Sequence, residues 1–325
     1  DPLTGEIRIP RRPLDPGAKV FGVNYEFLTR FYEFSEDTSI HVGNLVGYER
    51  GGNIVPVYLD VNVLATEHLA VLAMTGAGKS YTVGRIIERM VAQKNASVFV
   101  FDPHGEYGKA FKDGQINFND QLDRVQDLND RESLEQIKTH ITELAGKGGG
   151  VVVFTPQNTS FSAKYANKNK WLALQLANLD MDELVGILPG LTEAQQRVMD
   201  VAFRYWKEKY SAPHDIQDLM GLLNNLETLK LWDKLSPGES NALKEGSANI
   251  AAIRLRRMIN EAQSFYSAAV GSPTDVRDMV GIPGQPGRIV IIDLQGLTDT
   301  ARQLIVALIS SELLKAAGNR QNPIR

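Results

Sequence analysis

Ala73-Met74-Thr75-Gly76-Ala77-Gly78-Lys79-Ser80 carries the clearest chemistry in this sequence. Glycine at 76 and 78 lets the backbone curl until successive N–H groups converge on phosphate oxygens. A helix opening near Lys79 adds the positive end of its dipole. In such a loop Lys79 reaches the β- and γ-phosphates and the Ser80 hydroxyl ligates Mg²⁺. Thr75, Ala77 and Tyr81 join Gly76, Gly78, Lys79 and Ser80 as nucleotide-contacting positions. The spacing implies a site for a nucleoside triphosphate.

Phe101-Asp102-Pro103-His104-Gly105-Glu106-Tyr107 is the second signal. An apolar run ending on Asp102, then His104 and Glu106 in a tight loop, brings acid and imidazole groups beside the phosphate site. Asp102 is a candidate to hold a Mg²⁺-bound water, and Glu106 to polarise an attacking water. The plainer reading is a polar turn capped by Asp102. A third passage, Ile289-Val290-Ile291-Ile292-Asp293, has the form of a Walker B strand, four apolar residues and then an acid. Asp293 would accept a hydrogen bond from a Mg²⁺-bound water. Leu294-Gln295-Gly296-Leu297 follows, so no water-orienting carboxylate is adjacent. Two basic groups are weaker signals. Lys164, Lys168 and Lys170 with Tyr165 and Trp171 offer charge and stacking to a nucleic acid strand, and Arg254, Arg256 and Arg257 share a predicted helix. Either set is more often just a solvated face.

These groups need a frame. His68–Ala73, Ser97–Asp102, Gly150–Thr155 and Arg288–Asp293 are short apolar runs, and continuous hydrophobicity predicts parallel strands covered on both faces. Ligands of such sheets collect at the carboxyl ends of the strands, where Asp102, Thr155 and Asp293 would stand. Behind the phosphate loop Val83, Ile86, Ile87, Met90 and Val91 recur at helical spacing, with Arg85, Glu88 and Arg89 expected on the other face. Leu134, Ile137, Ile141 and Leu144 form a second helical stripe. From Pro156 to Gly287 no comparable strand is expected. Helices are predicted at Thr192–Tyr210, opened by the capping box Thr192-Glu193-Ala194-Gln195, and at Asp215–Leu226 and Ala248–Ala262. The first sixty or so residues read as β structure. Strands are expected at Phe27–Phe34, Ile40–Tyr48 and Ile54–Val61, the last two around Gly51-Gly52 as a hairpin. That is too little for a closed barrel, so a partial one is expected.

The 325 residues give room for a large domain and a smaller one. No apolar run approaches the ~20 residues needed to cross a bilayer, and the start does not resemble a signal peptide. The chain begins at Asp1 without an initiator methionine, which suggests trimming. Absence of cysteine excludes disulfides, thiolate metal sites and a cysteine nucleophile, and a cytoplasmic home is the default. Net charge is −4, so any contact with nucleic acid must be made by locally concentrated positive charge.

Together the three motifs resemble HerA, the hexameric DNA-translocating ATPase, within the wider group that holds FtsK-type and VirB4-type pumps. The string Asp102-Pro103-His104-Gly105-Glu106-Tyr107 is the most specific part. The resemblance implies a RecA-like P-loop NTPase core with a mainly parallel α/β sheet, a helical-bundle insertion and a small N-terminal β-barrel. On that plan residues 1–62 are the partial barrel, 63–155 the first part of the core, 156–287 the insertion and 288–325 the return to the core. It implies ATP and Mg²⁺ at Gly76, Gly78, Lys79 and Ser80, with Asp102 and Glu106 lining the active site. It further implies a homo-hexamer threading duplex DNA, with a NurA-type nuclease and a double-strand-break end-processing complex as partners. In the family the strand bearing Asp-Leu-x-Gly-Leu precedes another that ends in paired acids, and an arginine finger comes later. The chain stops at Arg325, about where that strand would begin. Continuation beyond residue 325 is therefore expected. The alternatives are a VirB4-like conjugative or secretion ATPase, or an ATP-gated scaffold that organises a nuclease without translocating.

Overall fold

The computed structural model describes residues 16–17, 19, 25–31, 37–45, 55–94, 96–107, 135, 139, 150–157, 170–188, 190–209, 215–225, 245–280 and 287–318. It divides into two units, Asp1–Ala70 and Val71–Arg325.

In the first unit, helix α1 spans Tyr25–Phe31, strands β1 and β2 span Ser39–Asn44 and Pro56–Asp60, and helix α2 spans Val61–Thr66. The expected hairpin is present, with β1 antiparallel to β2 from Ser39↔Asp60 to Asn44↔Pro56. Its second strand stops earlier than the Val61 expected, because Asp60 becomes an N-cap. The Asp60 carboxylate accepts from the N–H of Asn62 at 2.7 Å and of Val63 at 3.3 Å, which starts α2. The strand expected at Phe27–Phe34 is instead α1. Its sequence YEFLTRF lacks period-two alternation, and in the helix Leu28 is buried while Tyr25 and Phe27 are exposed. No closed barrel is seen among the described residues.

The second unit is built on a parallel sheet. Helix α3 is Lys79–Lys94, and β3, β4, β5 and β6 are Val98–Asp102, Gly150–Thr155, Lys170–Trp171 and Arg288–Asp293. Their order is β3-β6-β4-β5, all parallel. Strand β6 comes from the far end of the chain and lies in the middle. Its side chains alternate between two cores: Ile289 and Ile291 meet Ile87 and Val91 of α3 and Val100 of β3, while Val290 and Ile292 join a larger cluster on the opposite face. All four are fully buried, which contributes roughly 1.5–3 kcal/mol each.

The larger core is helical. It takes in α4 (Met181–Ile187), α5 (Glu193–Lys209), α6 (Ile216–Asn224) and α7 (Glu245–Glu261) and, after the short α8 (Ser267–Val270), which buries no residue, α9 (Val276–Val280) and the long α10 (Asp299–Gly318). Trp206 is its largest fully buried side chain, with its ring edge-on to Phe203 at 5.4 Å. Helix α5 begins with the expected capping box: Thr192 N–H donates to Gln195 Oε1 at 3.1 Å and Gln195 N–H to Thr192 Oγ1 at 3.4 Å. The segment expected to lack strands holds the two-residue β5 and a parallel bridge between Leu174 and Tyr266. Of the predicted stripe at Leu134–Leu144, only Glu135 and Thr139 are described; both are helical, and the apolar positions lie outside the described residues.

Two expectations fail beside the phosphate loop. His68–Ala73 is not a strand, and Leu69 and Leu72 are exposed. A strand exists through its partners, and β6 has one neighbour on each side in β3 and β4. Arg85, Glu88 and Arg89 are also not a solvated face; all three are buried.

Candidate active site

The phosphate loop has the backbone its glycines predict. Gly76 and Gly78 hold φ of 83° and 87°, a region that glycine enters without strain. Ala77 N–H closes a turn on the Met74 carbonyl at 3.1 Å, and Thr82 N–H starts the helical ladder on the Gly78 carbonyl at 2.9 Å. Helix α3 therefore begins at Lys79, and Thr75 to Lys79 are all exposed. A Cβ built on Gly76 or Gly78 would meet no atom within 4 Å, so the space over the loop is open.

Strand β3 delivers the second motif beside it. Asp102 is buried and grips the next turn with both oxygens: Oδ1 accepts from Glu106 N–H at 3.1 Å and Oδ2 from Tyr107 N–H at 2.9 Å. Glu106 is thereby turned toward α3, where its carboxylate accepts the Ser80 hydroxyl. Tyr107 follows, its own hydroxyl reaching the Ser80 carbonyl at 3.5 Å. Burial, and then the neighbouring Glu106 and Asp102 charges, push the Tyr107 phenol up, so it stays a neutral donor at physiological pH.

Asp293 ends β6 directly opposite Asp102 in the parallel register. It too is buried, and its Oδ1 accepts Gln295 N–H at 3.0 Å. The fold thus sets Asp102 and Asp293 at the carboxyl ends of β3 and β6 and, through Glu106 in the turn after β3, meets the amino end of α3 at Ser80, next to Lys79, while Thr155 ends β4, one strand further along. Among the described residues no group of three or more His, Cys, Asp or Glu side chains forms a self-sufficient metal cage. The donor set suits Mg²⁺ shared with phosphate: one hydroxyl, one facing carboxylate and an open nest of N–H groups.

A family model for the central domain of helicase HerA matches residues 40–313. The chain belongs to the HerA central-domain family. Its parallel sheet and phosphate loop fit a RecA-like P-loop NTPase core. A probable helicase of Methanocaldococcus jannaschii is 40% identical over 103 residues, covering 32% of this chain and 18% of that protein. A probable DNA double-strand break repair helicase HerA of the same organism is 38% identical over 106 residues, covering 32% of this chain and 20% of that protein. The DNA double-strand break repair helicase HerA of Pyrococcus furiosus is 33% identical over 156 residues, 44% of this chain and 27% of its own. The match thus spans under a third of each of these three relatives.

Other motif residues separate from the site. Lys164, Tyr165 and Lys168 lie outside the described residues; Lys170 and Trp171 form β5 and are exposed. Arg256 and Arg257 are exposed on α7, with Arg257 paired to Glu261 at 3.2 Å. Among the described residues no helix is long and apolar enough to cross a membrane. Sequence reasoning assigned no role to Tyr107 or Gln295. Their signal was position alone, one closing the second motif and the other two residues beyond Asp293.

Proposed function

We propose that the protein is an ATP-dependent DNA translocase of the HerA type. In this reading it is a cytoplasmic homo-hexameric ring that moves duplex DNA through its channel and works with a NurA-type nuclease in double-strand-break end resection. The observation that carries the proposal is the meeting of Ser80 and Glu106, which sets a carboxylate against the hydroxyl that opens the phosphate-loop helix. Membership of the HerA family and the names of the relatives support DNA as the substrate.

The N–H groups of Gly76, Gly78 and Lys79 bind the β- and γ-phosphate oxygens, and the Lys79 ammonium offsets their charge. Ser80, with Asp102 behind it, would hold Mg²⁺, and the ion would supply positive charge against the phosphate oxygens. Glu106 orients a water for attack and accepts its proton, and Asp102 keeps Glu106 in place through its two backbone bonds. Asp293 lies one strand away and holds the Gln295 turn. One observation favours the scaffold reading: the turn beyond Asp293 that faces the second motif carries Gln295 and no carboxylate.

Steady-state ATP hydrolysis by the full-length protein, with and without duplex DNA, separates the two readings. Turnover stimulated by DNA and abolished by Lys79→Ala is expected. Nucleotide binding with no turnover on any DNA would sink the translocase and leave the scaffold.

A further inference from the structure

The loop that carries Glu106 is held from two sides. Beneath it, Asp102 caps the turn. Above it lies Gln295. Leu294 N–H donates to the Asp102 carbonyl at 3.0 Å, extending the β3–β6 pairing one step past the strands. Asp293 Oδ1 then accepts Gln295 N–H at 3.0 Å and fixes the direction in which that residue leaves the sheet. From there the Gln295 amide Nε2 donates to the His104 carbonyl at 3.0 Å.

Gly105 shows how close this contact is. Its φ is +67°, and a Cβ built on it would sit 2.8 Å from Gln295 Oε1 and 3.0 Å from Cδ. The carboxamide therefore lies flat against the Gly105 backbone, where a side chain at 105 would fit only by displacing it. His104 and Gly105 are pinned immediately before Glu106, whose carboxylate meets Ser80.

We infer that Gln295 is a positioning residue for the hydrolytic step, holding the His104–Gly105 peptide so that Glu106 points at the phosphate-loop helix. This rests on the reading above that Glu106 acts on the attacking water. Gln295 bonds the His104 carbonyl and packs on Gly105, on the side of the loop that leads into Glu106, so it governs turnover and leaves nucleotide binding alone. A glutamine in the turn two residues past β6 thereby sets the catalytic geometry of a loop that follows the phosphate motif.

The test compares Gln295→Ala, Gln295→Met and Glu106→Gln, and each Gln295 variant combined with Glu106→Gln, in the full-length protein. Methionine keeps the length and the packing against Gly105 and removes the donor. Readouts are kcat and KM for ATP, affinity for a fluorescent ATP analogue, and thermal midpoint. Both Gln295 variants are expected to lower kcat on the order of 10–100-fold, since a misplacement near 1 Å has that effect. KM and analogue affinity should stay within about twofold, the signature of an interaction that acts in the transition state alone. In the Glu106→Gln background the same substitutions should change kcat no further. Unaltered kcat in both variants overturns the inference. So does a loss that multiplies with that of Glu106→Gln, or one that tracks a fall in analogue affinity and midpoint, because each means a merely structural contact. If Glu106→Gln itself leaves kcat intact, the role given to Glu106 fails first and the inference falls with it.

Discussion

At the scale of single residues, buried charge on α3 is the least expected feature. Glu88 sits between Arg85 and Arg89 in sequence register, and all three are buried just behind the phosphate loop. Burial pushes the Glu88 carboxyl up to about 7 from 4.5, although both arginine charges pull the other way. The sign of the consequence follows from proton counting. Below pH 4.5 the native and unfolded states both hold the proton. Between 4.5 and 7 the unfolded chain has released it and the native state has not, so stability falls as pH rises. Above 7 the loss is complete, on the order of 3 kcal/mol. Glu88→Gln should remove most of that slope and raise the thermal midpoint at pH 8. Urea melts of both proteins across this range check it; an unchanged slope would show that Glu88 ionises freely in the native state. Asp102 is also a buried carboxylate, and it accepts two backbone N–H groups of the turn that follows it.

Elements begin and end where local chemistry tells them to. Helix α4 carries a complete capping box, with Glu183 N–H on Asp180 Oδ1 at 2.9 Å and Asp180 N–H on Glu183 Oε2 at 2.8 Å. Helix α5 carries the Thr192–Gln195 box, whose bond from Gln195 N–H to Thr192 Oγ1 is longer at 3.4 Å. Asp180→Ala should therefore cost about 1 kcal/mol and Thr192→Ala no more than that, because each frees an N–H at a helix start. Chemical denaturation separates them, and a Thr192→Ala cost larger than that of Asp180→Ala would contradict the geometry. Strong local signals of this kind were readable from sequence: β3, β4, β6 and α5 to α7 lie within a few residues of expectation. The misses share one cause. His68–Ala73 has the composition of a strand but pairs with none among the described residues, and Tyr25–Phe31 has aromatic β-formers yet coils as a helix. Propensity describes what a segment favours alone, whereas pairing is decided by which neighbour reaches it.

For the whole molecule, charge sets the terms on which DNA can bind. A net charge of −4 gives no general attraction to a polyanion, so the proposed DNA contact depends on a few local cations. Affinity of the full-length protein for duplex DNA is expected to fall steeply with salt, by roughly tenfold or more between 50 and 200 mM, as counterions compete for those contacts. Fluorescence anisotropy on a labelled duplex measures it, and a flat salt dependence would mean that phosphate contacts are not what holds the DNA.

Sequence alone determined the phosphate loop, the start of α3 at Lys79 and the acids that end β3 and β6. These follow from short-range rules: glycine's access to positive φ, helix start signals, and apolar runs that end on a polar residue. It also made the resemblance to HerA legible, because Asp102 to Tyr107 is contiguous. Tertiary structure decided what contiguity cannot express. It placed β6 between β3 and β4, set Asp293 opposite Asp102, buried Arg85, Glu88 and Arg89, and laid Gln295 on Gly105. Each of these joins residues distant in sequence or reverses the solvent exposure that local pattern implied. The reason is physical: a parallel strand takes its hydrogen bonds from whichever strand the chain brings back beside it, and no window of neighbouring residues contains that partner.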